Sequence, residues 1–352
     1  MHRSTFVEVN LKNLKYNVKS LINKYSNYKY YFGVVKADCY GHSGLETVKT
    51  IIEAGCNYLA VATLDEALTI RNEIKDIPIL CLSVVDIKFI PICIENNITI
   101  TINSYDYLKN IDINNNKLKV HIKINTGMNR LGVSTKEEFN IVYELIRRKD
   151  YVLEGIYTHI YNPTDEVDTL KQFREFEKIT SDINLAEIPI VHVGASEATE
   201  LYPKRDYANG CRLGISMYGL VDCSDIDFKS TFSLYSKVIQ INEVDHGTVG
   251  YNGAYKVSGK ERIAVIPIGY ADGIIRKNTG RYVYINDKKY KIVGNICMDM
   301  LFVKVDDSVN IGDKVTIIRD INHIKEIAKH LDTITYEVIC SISKRVPRVY
   351  IK

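Results

Sequence analysis

The sequence predicts an α/β fold in which a (β/α)8 barrel of the TIM type is followed by a mostly antiparallel β domain. Three observations predict it. Between about residues 10 and 220, short runs rich in β-branched residues alternate with segments that carry apolar residues at helical spacing. The strand-like runs are apolar on both faces, which is typical of a parallel sheet covered by helices. After about residue 223 this alternation stops, and strand-like segments follow one another through tight turns.

The barrel is predicted from eight runs that have the composition of buried strands. Eight strand–helix units in roughly 210 residues are the number that a closed (β/α)8 barrel requires. A doubly wound open sheet is the alternative, but its dinucleotide-binding form is disfavoured because no GxGxxG motif follows the first strand. Helical spacing between the strands is clearest at 45–55, 63–74 and 135–149. The predicted strands are 30–36, 58–63, 77–83, 98–102, 118–124, 153–159, 188–193 and 213–219.

Two domains are predicted, since 352 residues exceed the usual size of one hydrophobic core. We expect residues 10–222 to form the barrel and residues 223–352 the β domain, with residues 1–9 pairing onto the β domain. A hairpin is predicted around Asn286 and Asp287, where two strand-like runs meet at a polar turn. The predicted strands of the β domain lie within 231–244, 262–271, 281–296, 301–305 and 314–320, and its predicted helices at 323–332 and 335–345.

Charge and composition exclude several classes of function. The net charge of +3 is too small to indicate a nucleic-acid or membrane-surface partner. No apolar run approaches the roughly 20 residues that span a bilayer, and the amino-terminal run lacks the apolar stretch of a signal peptide. None of the eight cysteines forms a CxxC pair, so we expect reduced thiols and neither a disulfide framework nor a metal site. These features are typical of a cytoplasmic protein.

The first residue with a predicted chemical role is Lys36, which ends the first predicted strand in the run GVVKADCYGHSG (33–44). In such barrels the active site lies at the carboxyl ends of the strands. A lysine in that position is commonly a solvated strand end, but Gly41 and Gly44 allow backbone and a bulky ligand to approach closely. A desolvated lysine amine can bind an aldehyde covalently, which is how enzymes hold pyridoxal 5'-phosphate (PLP).

The run around Lys36 resembles the PLP-lysine motif of the alanine racemase family, a fold-type III PLP family that also contains serine racemases. One such motif would be weak evidence, but nine occur in the order that the family has, and the resemblance extends from residue 5 to residue 350. The family also combines a barrel with a following β domain, in agreement with the division predicted above. The nine motifs are VVKADCYGHSG (34–44), KINTGMNRLG (123–132), YTHI (157–160), HVGASEAT (192–199), RLGISMYG (212–219), GYNGAY (250–255), IPIGYADG (266–273), ICMDM (296–300) and RVPRVY (345–350).

The resemblance implies a homodimeric racemase that uses two acid/base groups. PLP would supply the electron sink that removal of an α-proton requires. Lys36 would bind the cofactor and serve one face of the substrate, and Tyr251 would serve the opposite face. In the family this tyrosine comes from the neighbouring subunit, so that the homodimer shares two active sites. Because a phenol with a pKa of about 10 is a poor base, Tyr251 requires a cationic neighbourhood or a hydrogen-bond relay.

Further residues match the family's cofactor-binding positions. The resemblance places Arg212 opposite the pyridine nitrogen of PLP. A guanidinium does not readily give up its proton, so we hypothesise that Arg212 leaves this nitrogen unprotonated and suppresses transamination. His159 matches the histidine that helps to orient the acid/base network. The phosphate-binding positions, where backbone amides and hydroxyls act as donors, correspond to Tyr40, Ser196, Gly214, Ile215 and Tyr350.

Another group of residues matches positions around the substrate. Arg130 corresponds to the residue that binds the substrate carboxylate, a role suited to a planar fork of donors. Lys123 matches a lysine that is carbamylated in many relatives and orients this arginine. Met298 would offer a backbone amide from the second subunit, and Asp299 would shape the entrance together with Tyr270.

Three departures from the family pattern concern the choice of substrate. Ala195 stands where the family usually has Asn, and Leu213 stands where it usually has Pro or Ile. The loop 160–166 after His159 is one residue longer than the common form. Because this loop lies near the substrate entrance, the resemblance determines the acid/base and cofactor residues better than the substrate.

The predicted function is the interconversion of L- and D-alanine, which supplies D-alanine for peptidoglycan. The close alternative is a serine racemase of the type linked to glycopeptide resistance, although Tyr350 favours alanine because it narrows the pocket. A pocket distinguishes substrates that differ by one small group by only about 1–3 kcal/mol, so activity on both is compatible with the resemblance. A fold-type III PLP decarboxylase would need pocket residues for a long basic side chain, and a single-barrel PLP-binding protein would lack the tyrosines of residues 250–350.

Overall fold

The structure is a computed structural model, and it describes residues 2–113 and 116–352. Within these residues the chain forms a closed parallel barrel and a nine-stranded sheet. Strand β1 (Phe6–Asn10) and helix α1 (Leu11–Lys24) precede the barrel. Helix α1 begins where the side chain of Asn10 accepts a hydrogen bond from a first-turn N–H, and it buries one apolar face. No helix of the described ranges is both long and apolar enough to cross a bilayer.

Eight parallel strands close the barrel, so the predicted fold class is confirmed. Each strand pairs in parallel with its neighbours, and the last strand returns to the first with Gly210 opposite Tyr30. The strands are β2 (Tyr30–Val34), β3 (Tyr58–Val61), β4 (Ile79–Cys81), β5 (Ile98–Ile102), β6 (Leu118–Lys123), β7 (Tyr151–Tyr157), β8 (Ile190–Ala195) and β9 (Gly210–Leu213).

The eighth barrel strand lies earlier in the chain than predicted. The sequence pattern placed it at 213–219, whereas β9 ends at Leu213 and Ile215–Tyr218 form a 3-10 turn. Gly214 ends the strand because its φ of −111° and ψ of −114° depart from extended backbone. The turn that follows is buried throughout, so its apolar residues resemble those of a strand. Periodicity does not separate a short buried turn from a short buried strand.

Helical segments connect the barrel strands. They are α2 (Lys36–Tyr40), α3 (Gly44–Glu53), α4 (Leu64–Glu73), α5 (Ile90–Glu95), α6 (Tyr105–Lys109), α7 (Lys136–Arg148), α8 (Glu166–Ile179) and α9 (Ser196–Leu201). Helices α4 and α7 begin after Thr63 and Thr135, whose hydroxyls accept hydrogen bonds from N–H groups of the first turn. Helix α7 packs inward because Phe139, Val142 and Ile146 recur on one face, where all three are buried.

The second domain is built on a nine-stranded sheet that includes β1. Its strands are β10 (Phe232–Lys237), β11 (Gln240–Val244), β14 (Glu261–Ile266), β15 (Tyr282–Ile285), β16 (Lys288–Val293), β17 (Leu301–Val305), β18 (Lys314–Ile318) and β19 (Arg348–Ile351), with β12 (Thr248–Val249) and β13 (Tyr255–Lys256) forming a separate pair. Helices α10 (Ile321–Leu331) and α11 (Thr335–Cys340) precede β19. Strand β1 lies between β10, to which it is antiparallel, and β19, to which it is parallel. The hairpin predicted at Asn286 and Asp287 joins β15 to β16, and both turn residues have positive φ.

The segment α2 after β2 is a left-handed turn. Ala37, Asp38 and Cys39 have φ between 51° and 55°, a conformation that costs roughly 1–2 kcal/mol per residue outside glycine. Glu66 of α4 stabilises the turn from the barrel side: its Oε1 accepts a hydrogen bond from the Ala37 N–H at 2.8 Å. Strain of this kind persists only where surrounding contacts hold the backbone in place.

The second domain also holds this turn. Arg348 of β19 donates from Nε and Nη2 to the Gly41 carbonyl at 3.1 and 2.9 Å, and it donates to three carbonyls of its own segment. We call this set of contacts the Arg348 clamp. Gly41 itself has a φ of 78°, and a Cβ placed on it would lie 2.3 Å from the Ile339 carbonyl oxygen in α11. The two domains are therefore packed directly together at the turn that begins with Lys36.

The close approach at Gly41 can be separated from its positive φ with a matched pair of variants. Gly259 has nearly the same φ, 80°, but nothing lies within 4 Å of the place where its Cβ would be. Gly259→Ala should therefore cost about 1–2 kcal/mol from the left-handed conformation alone. Gly41→Ala should lose about 3 kcal/mol or more of unfolding free energy, because backbone must also move. Urea unfolding of both variants measures these free energies. Equal losses would show that the backbone of α11 moves at little cost to make room for the added methyl group.

Candidate active site

A cavity of about 380 Å³ opens at the carboxyl end of the barrel. Most side chains predicted to bind a cofactor or a substrate carboxylate line it. Those predicted residues are Lys36, Tyr40, Lys123, Arg130, His159, Ser196, Arg212, Gly214 and Ile215. The motifs on different strands thus converge on one space, as the carboxyl ends of barrel strands should.

Lys36 lies in the cavity wall at the start of the left-handed turn. Burial lowers the pKa of its amine, and the nearby charge of Arg130 lowers it further, while Cys340 and Glu66 act in the opposite direction. An amine with a lowered pKa is unprotonated in a larger fraction of molecules and is therefore a better nucleophile and base. The geometry suits covalent binding of a carbonyl compound.

Arg212 is buried, with 3% of its surface exposed, at the inner wall of the cavity. Its Nη1 donates to His192 Nδ1 and to the His192 carbonyl, both at 2.8 Å. Its Nη2 donates to the Thr158 carbonyl at 2.8 Å and lies 3.4 Å from His159 Nδ1. Burial lowers the pKa of this guanidinium to about 10, so it still carries its charge at neutral pH. These contacts hold the cation in one orientation.

His159 is neutral in this surrounding. Burial lowers its pKa to about 2, and the charges of Arg212, Lys123, Arg130 and Lys36 lower it in the same direction. The ring therefore has an unprotonated nitrogen available over the physiological pH range. Because Arg212 can only donate, the unprotonated nitrogen is Nδ1, which faces Arg212 Nη2, and the Nε2–H is left to donate a hydrogen bond to a group that enters the cavity.

Lys123 and Arg130 flank a loop that folds back on itself. The backbone of Ile124 bridges to that of Val133, and a Cβ on Gly132 would lie 2.8 Å from the Lys123 carbonyl, so only glycine fits there. Arg130 is exposed at the end of the loop and lines the cavity. Lys123 is buried, and its amine lies 5.0 Å from the centre of the Tyr157 ring. Burial, with the charges of Arg212 and Arg130, lowers the pKa of Lys123 to about 7.

A small cradle of hydroxyl and amide groups lies beside Gly214. A Cβ on Gly214 would be 3.2 Å from both Ser196 Oγ and Tyr40 Oη, so the missing side chain leaves room between two donors. Ser196 Oγ accepts from the Gly214 N–H at 3.1 Å and lies 3.3 Å from Ser216 Oγ. Burial raises the pKa of Tyr40, which keeps its hydroxyl protonated and able to donate. The cradle is suited to an oxyanion such as a phosphate group.

Tyr350, predicted to belong to this phosphate set, is not in the cavity wall. It lies in β19 opposite Val9, and a Cβ on Gly44 would be 2.1 Å from its hydroxyl. Tyr336 of α11 lines the cavity instead, with its ring centre 6.0 Å from that of Tyr40. The difference arises because the register of β19 against β1 directs Tyr350 toward the start of α3.

The predicted residues of the second domain lie on the surface of the single chain. Tyr251 is 69% exposed, Met298 53% and Tyr270 41%, and none of them lines the Lys36 cavity. Main-chain bonds join their loops, since the Tyr270 N–H donates to the Cys297 carbonyl at 3.0 Å. Asp299 is also exposed and accepts a hydrogen bond from Arg345 at 2.7 Å. One chain alone therefore does not bring Tyr251 together with Lys36.

Several cavity residues escaped the sequence reasoning. Leu82 and Ser83 form part of the wall, and Glu197 contributes a carboxylate beside the cradle. Tyr161, in the loop that the sequence places near the substrate entrance, also lines the cavity. Burial and the charge of Asp222 raise the pKa of Glu197. The available signal was positional, since Ser83 closes a predicted strand and Glu197 follows the predicted phosphate serine. In the described ranges no three His, Cys, Asp or Glu side chains are arranged to hold a metal ion.

The fold and this cavity define a class of protein: a parallel barrel whose mouth presents a desolvated lysine, a buried guanidinium and an oxyanion cradle, joined to an antiparallel β domain. Comparison with known families identifies the class. Residues 9–222 match the family described as alanine racemase, N-terminal domain, and residues 231–350 match alanine racemase, C-terminal domain. The chain belongs to the alanine racemase family, which confirms the resemblance found in the sequence.

Individual relatives match over nearly their whole length. The chain is 36% identical to alanine racemase 1 of Bacillus subtilis, with 100% of this chain and 94% of the relative covered. Among solved structures, alanine racemase from E. faecalis has a TM-score of 0.93 at 32% identity and covers 99% of each chain. Alanine racemase from Bacillus anthracis, solved with bound L-Ala-P, also has a TM-score of 0.93 at 32% identity, covering 100% of this chain and 96% of that one. These matches favour a racemase over the decarboxylase and single-barrel alternatives.

The unusual environment of Lys123 predicts a pH-dependent effect on stability. The pKa of Lys123 falls from 10.5 to about 7 on folding, so between these values the unfolded chain binds more protons and the stability of the wild type rises with pH. In carbonate-free buffer, Lys123→Met should therefore be more stable than the wild type at pH 6, by on the order of a few kcal/mol, and lose this advantage toward pH 9.5. Urea unfolding across this range measures the difference.

The control for this prediction is Lys256→Met, which removes an exposed lysine from β13. Its stability should follow that of the wild type at every pH. If the unfolding free energy of Lys123→Met instead changes with pH in parallel with that of the wild type, then the charge of the buried Lys123 amine does not destabilise the fold.

Proposed function

We propose that this chain binds PLP and interconverts L- and D-alanine. The observation that carries the proposal is the convergence of the Lys36 amine, the Arg212 guanidinium and the Gly214 cradle on one cavity. The names of its relatives support alanine as the substrate, since proteins 32–36% identical over the full chain are alanine racemases. A supply of D-alanine for peptidoglycan and a cytoplasmic location are part of the same proposal.

The cavity offers groups for each polar end of PLP. The cradle of Tyr40, Ser196 and Gly214, followed by Ile215, would hold the phosphate. Arg212 would face the ring nitrogen, and Lys36 would bind the aldehyde carbon. When bound, PLP withdraws electrons from the α-carbon of the substrate and so makes its proton acidic. Tyr350 lies outside the cavity wall, which Tyr336 lines, so its predicted part in phosphate binding would be indirect.

Lys36 would remove or return the α-proton at its Nζ on one side of the substrate. Its lowered pKa suits this role, because a base acts best when its pKa lies near the working pH. Tyr251 would act on the other side, entering from a second subunit, and its exposure on the single chain leaves it free to do so. The cations around the cavity would stabilise a phenolate that enters from the second subunit, and the Nε2–H of the neutral His159 ring would donate a hydrogen bond to it.

Arg212 would restrain the chemistry to racemisation. A guanidinium held by the His192 and Thr158 carbonyls has little tendency to transfer a proton, so it would leave the ring nitrogen unprotonated. Less electron density would then collect on the ring, and the proton would return to the α-carbon instead of another atom. This role for Arg212 is the physical reason for expecting little transamination.

Arg130 would bind the substrate carboxylate through its fork of donors. We also propose that Lys123 is carbamylated: an amine with a pKa of about 7 is available to add to carbon dioxide, losing one proton and gaining a negative charge. That charge would pair with Arg130 and orient it toward the substrate. Met298, Tyr270 and Asp299 would complete the entrance from the second subunit of a homodimer with two shared sites.

Serine is the second candidate substrate. Ser83 and Tyr161 place hydroxyl groups in the cavity wall, where they could bind the hydroxyl of a serine side chain. Tyr161 is held there by its own hydrogen bond to Asp168 at 3.2 Å. Tyr161 belongs to the loop 160–166, which is longer than the common family form, and its hydroxyl favours measurable activity on serine in addition to alanine.

A racemisation assay with PLP tests the proposed function. Purified protein should be yellow, should racemise L-alanine with a higher kcat/KM than L-serine, and should lose activity when PLP is removed. Borohydride should fix the cofactor on a peptide that contains Lys36, because Lys36 begins the turn that ends at Tyr40 of the cradle. Absence of racemisation with any small L-amino acid in the presence of PLP, or a label on another lysine, contradicts the proposal.

Mixed dimers test whether two subunits share each site. Lys36→Ala and Tyr251→Phe should each be inactive alone, because each removes one of the two acid/base groups from every site. A mixed dimer of the two variants would contain one site with both groups intact, so random association of equal amounts should restore about one quarter of wild-type activity. If Lys36 and Tyr251 acted within one chain, mixing would restore nothing.

A further inference from the structure

A row of polar side chains crosses the barrel interior from Arg212 toward the opposite end. Arg212 Nη1 lies 2.8 Å from His192 Nδ1, and His192 Nε2 lies 2.9 Å from His121 Nδ1. His121 Nε2 lies 3.4 Å from Glu154 Oε2. Both histidines are fully buried, and 17% of the Glu154 side chain is exposed. The row thus links the wall of the candidate active site to a carboxylate near the amino-terminal ends of the strands.

The two ends of the row determine the position of every proton in it. A guanidinium can only donate, so His192 Nδ1 must be unprotonated and the proton of this ring must be on Nε2. His192 Nε2 therefore donates to His121 Nδ1, which places the proton of His121 on its own Nε2. A carboxylate can only accept, so the chemical character of Glu154 matches this last N–H, although their separation of 3.4 Å is an ion-pair distance without hydrogen-bond geometry. The two hydrogen bonds and the final ion-pair contact all run in one direction, from the cation to the anion.

Neither histidine can take up a proton without breaking this order. A proton added to His121 Nδ1 would face the His192 N–H, and reversing His192 would turn an N–H toward Arg212. Burial lowers the pKa of both rings, which acts in the same direction. Burial raises the pKa of Glu154, but the hydrogen bonds that Tyr58 and Thr99 donate to it and the nearby His121 ring together lower this pKa to about 2, so Glu154 remains an anion.

The barrel core holds the row in place. The His192 ring is stacked between Phe32 and Tyr157, with ring centres 4.5 and 4.6 Å away and interplanar angles of 18° and 9°. His121 fits only because residue 155 is glycine, since a Cβ there would lie 2.6 Å from the imidazole. The other end is also held, because Thr99 Oγ1 donates to Glu154 Oε2 at 2.8 Å. Rings packed in this way cannot turn over without opening the core.

We propose that Glu154 is a positioning residue for Arg212, which it holds at the cavity wall through His121 and His192. The carboxylate is the remote counter-charge of the guanidinium, and the two imidazoles transmit a fixed hydrogen-bond polarity between them. The consequence for catalysis rests on the proposed function, in which Arg212 faces the cofactor. The structural claim itself, a directed row of four side chains, concerns the protein with or without a ligand.

The direct test reads the histidine protons in the full-length protein as purified. Nitrogen-15 NMR of histidine-labelled protein should show His121 and His192 as neutral rings protonated on Nε2, with no titration between pH 5.5 and 8.5. Single His→Asn variants assign the two signals. A charged ring, or a proton on Nδ1 of His192, would overturn the proposal, and this measurement needs no Glu154 variant to fold.

Variants of Glu154 test whether this residue positions Arg212 through the two histidines. Glu154→Leu removes the terminal acceptor, so the two histidine signals should shift, and kcat for racemisation should fall about 10- to 100-fold with KM within about twofold. Glu154→Gln keeps an oxygen that can accept from His121 but loses the counter-charge, so its kcat should fall less than that of Glu154→Leu. Unchanged histidine signals and unchanged kcat in Glu154→Leu would refute the positioning role.

The matched control is Glu177→Leu. Glu177 is a partly exposed carboxylate paired with Arg205 at 2.6 Å in the outer layer, and it has no link to Arg212. Its removal should leave the histidine signals and kcat unchanged. If no variant and no wild-type protein racemises an amino acid, the proposed function fails, while the NMR result still decides the directed row on its own.

Discussion

The crowding of positive charge in one buried cavity is the constraint on which the site depends. Four cations, Lys36, Lys123, Arg130 and Arg212, line about 380 Å³, together with one carboxylate among the described lining residues, that of Glu197. Burial lowers the pKa values of Lys36, Lys123 and His159, and the neighbouring cations lower them further because each disfavours the charge of the others. Such a cavity attracts anions and keeps its amines reactive. A phosphate and a carboxylate are the anions that the proposed reaction would bring.

This concentration of charge must be supported by the rest of the fold. The barrel interior supplies the polar row behind Arg212, set among stacked aromatic rings. The second domain supplies the Arg348 clamp, which fixes the strained turn at Lys36. The candidate active site therefore depends on contacts from the barrel interior beneath it and from the sheet domain beside it.

Much of the site could be predicted from sequence because most of its residues directly follow barrel strands. Lys36, Lys123 and Ser196 each stand at the end of an apolar run, so a linear motif places them at one rim. The polar row could not be found in this way. His121 and Glu154 lie within strands, where a polar residue looks like an outward position until closure of the barrel turns it inward. The side chain of Tyr350 lies outside the cavity wall because of the register of β19 against β1, which cannot be derived from one strand. The resemblance assigns Tyr251 to a neighbouring subunit, and this assignment stays a prediction.

The Arg348 clamp also has a consequence for the order in which the protein is made. The guanidinium acts on the Gly41 carbonyl, 307 positions earlier in the chain. A ribosome would therefore have released the whole barrel before the group that restrains the lysine turn emerged, and β1 would likewise wait for β19, its parallel neighbour. The contact that holds the lysine turn from the second domain can therefore form only after residue 348 has left the ribosome. Maturation of the site is thus a late event of folding, separate from the collapse of the core that carries it.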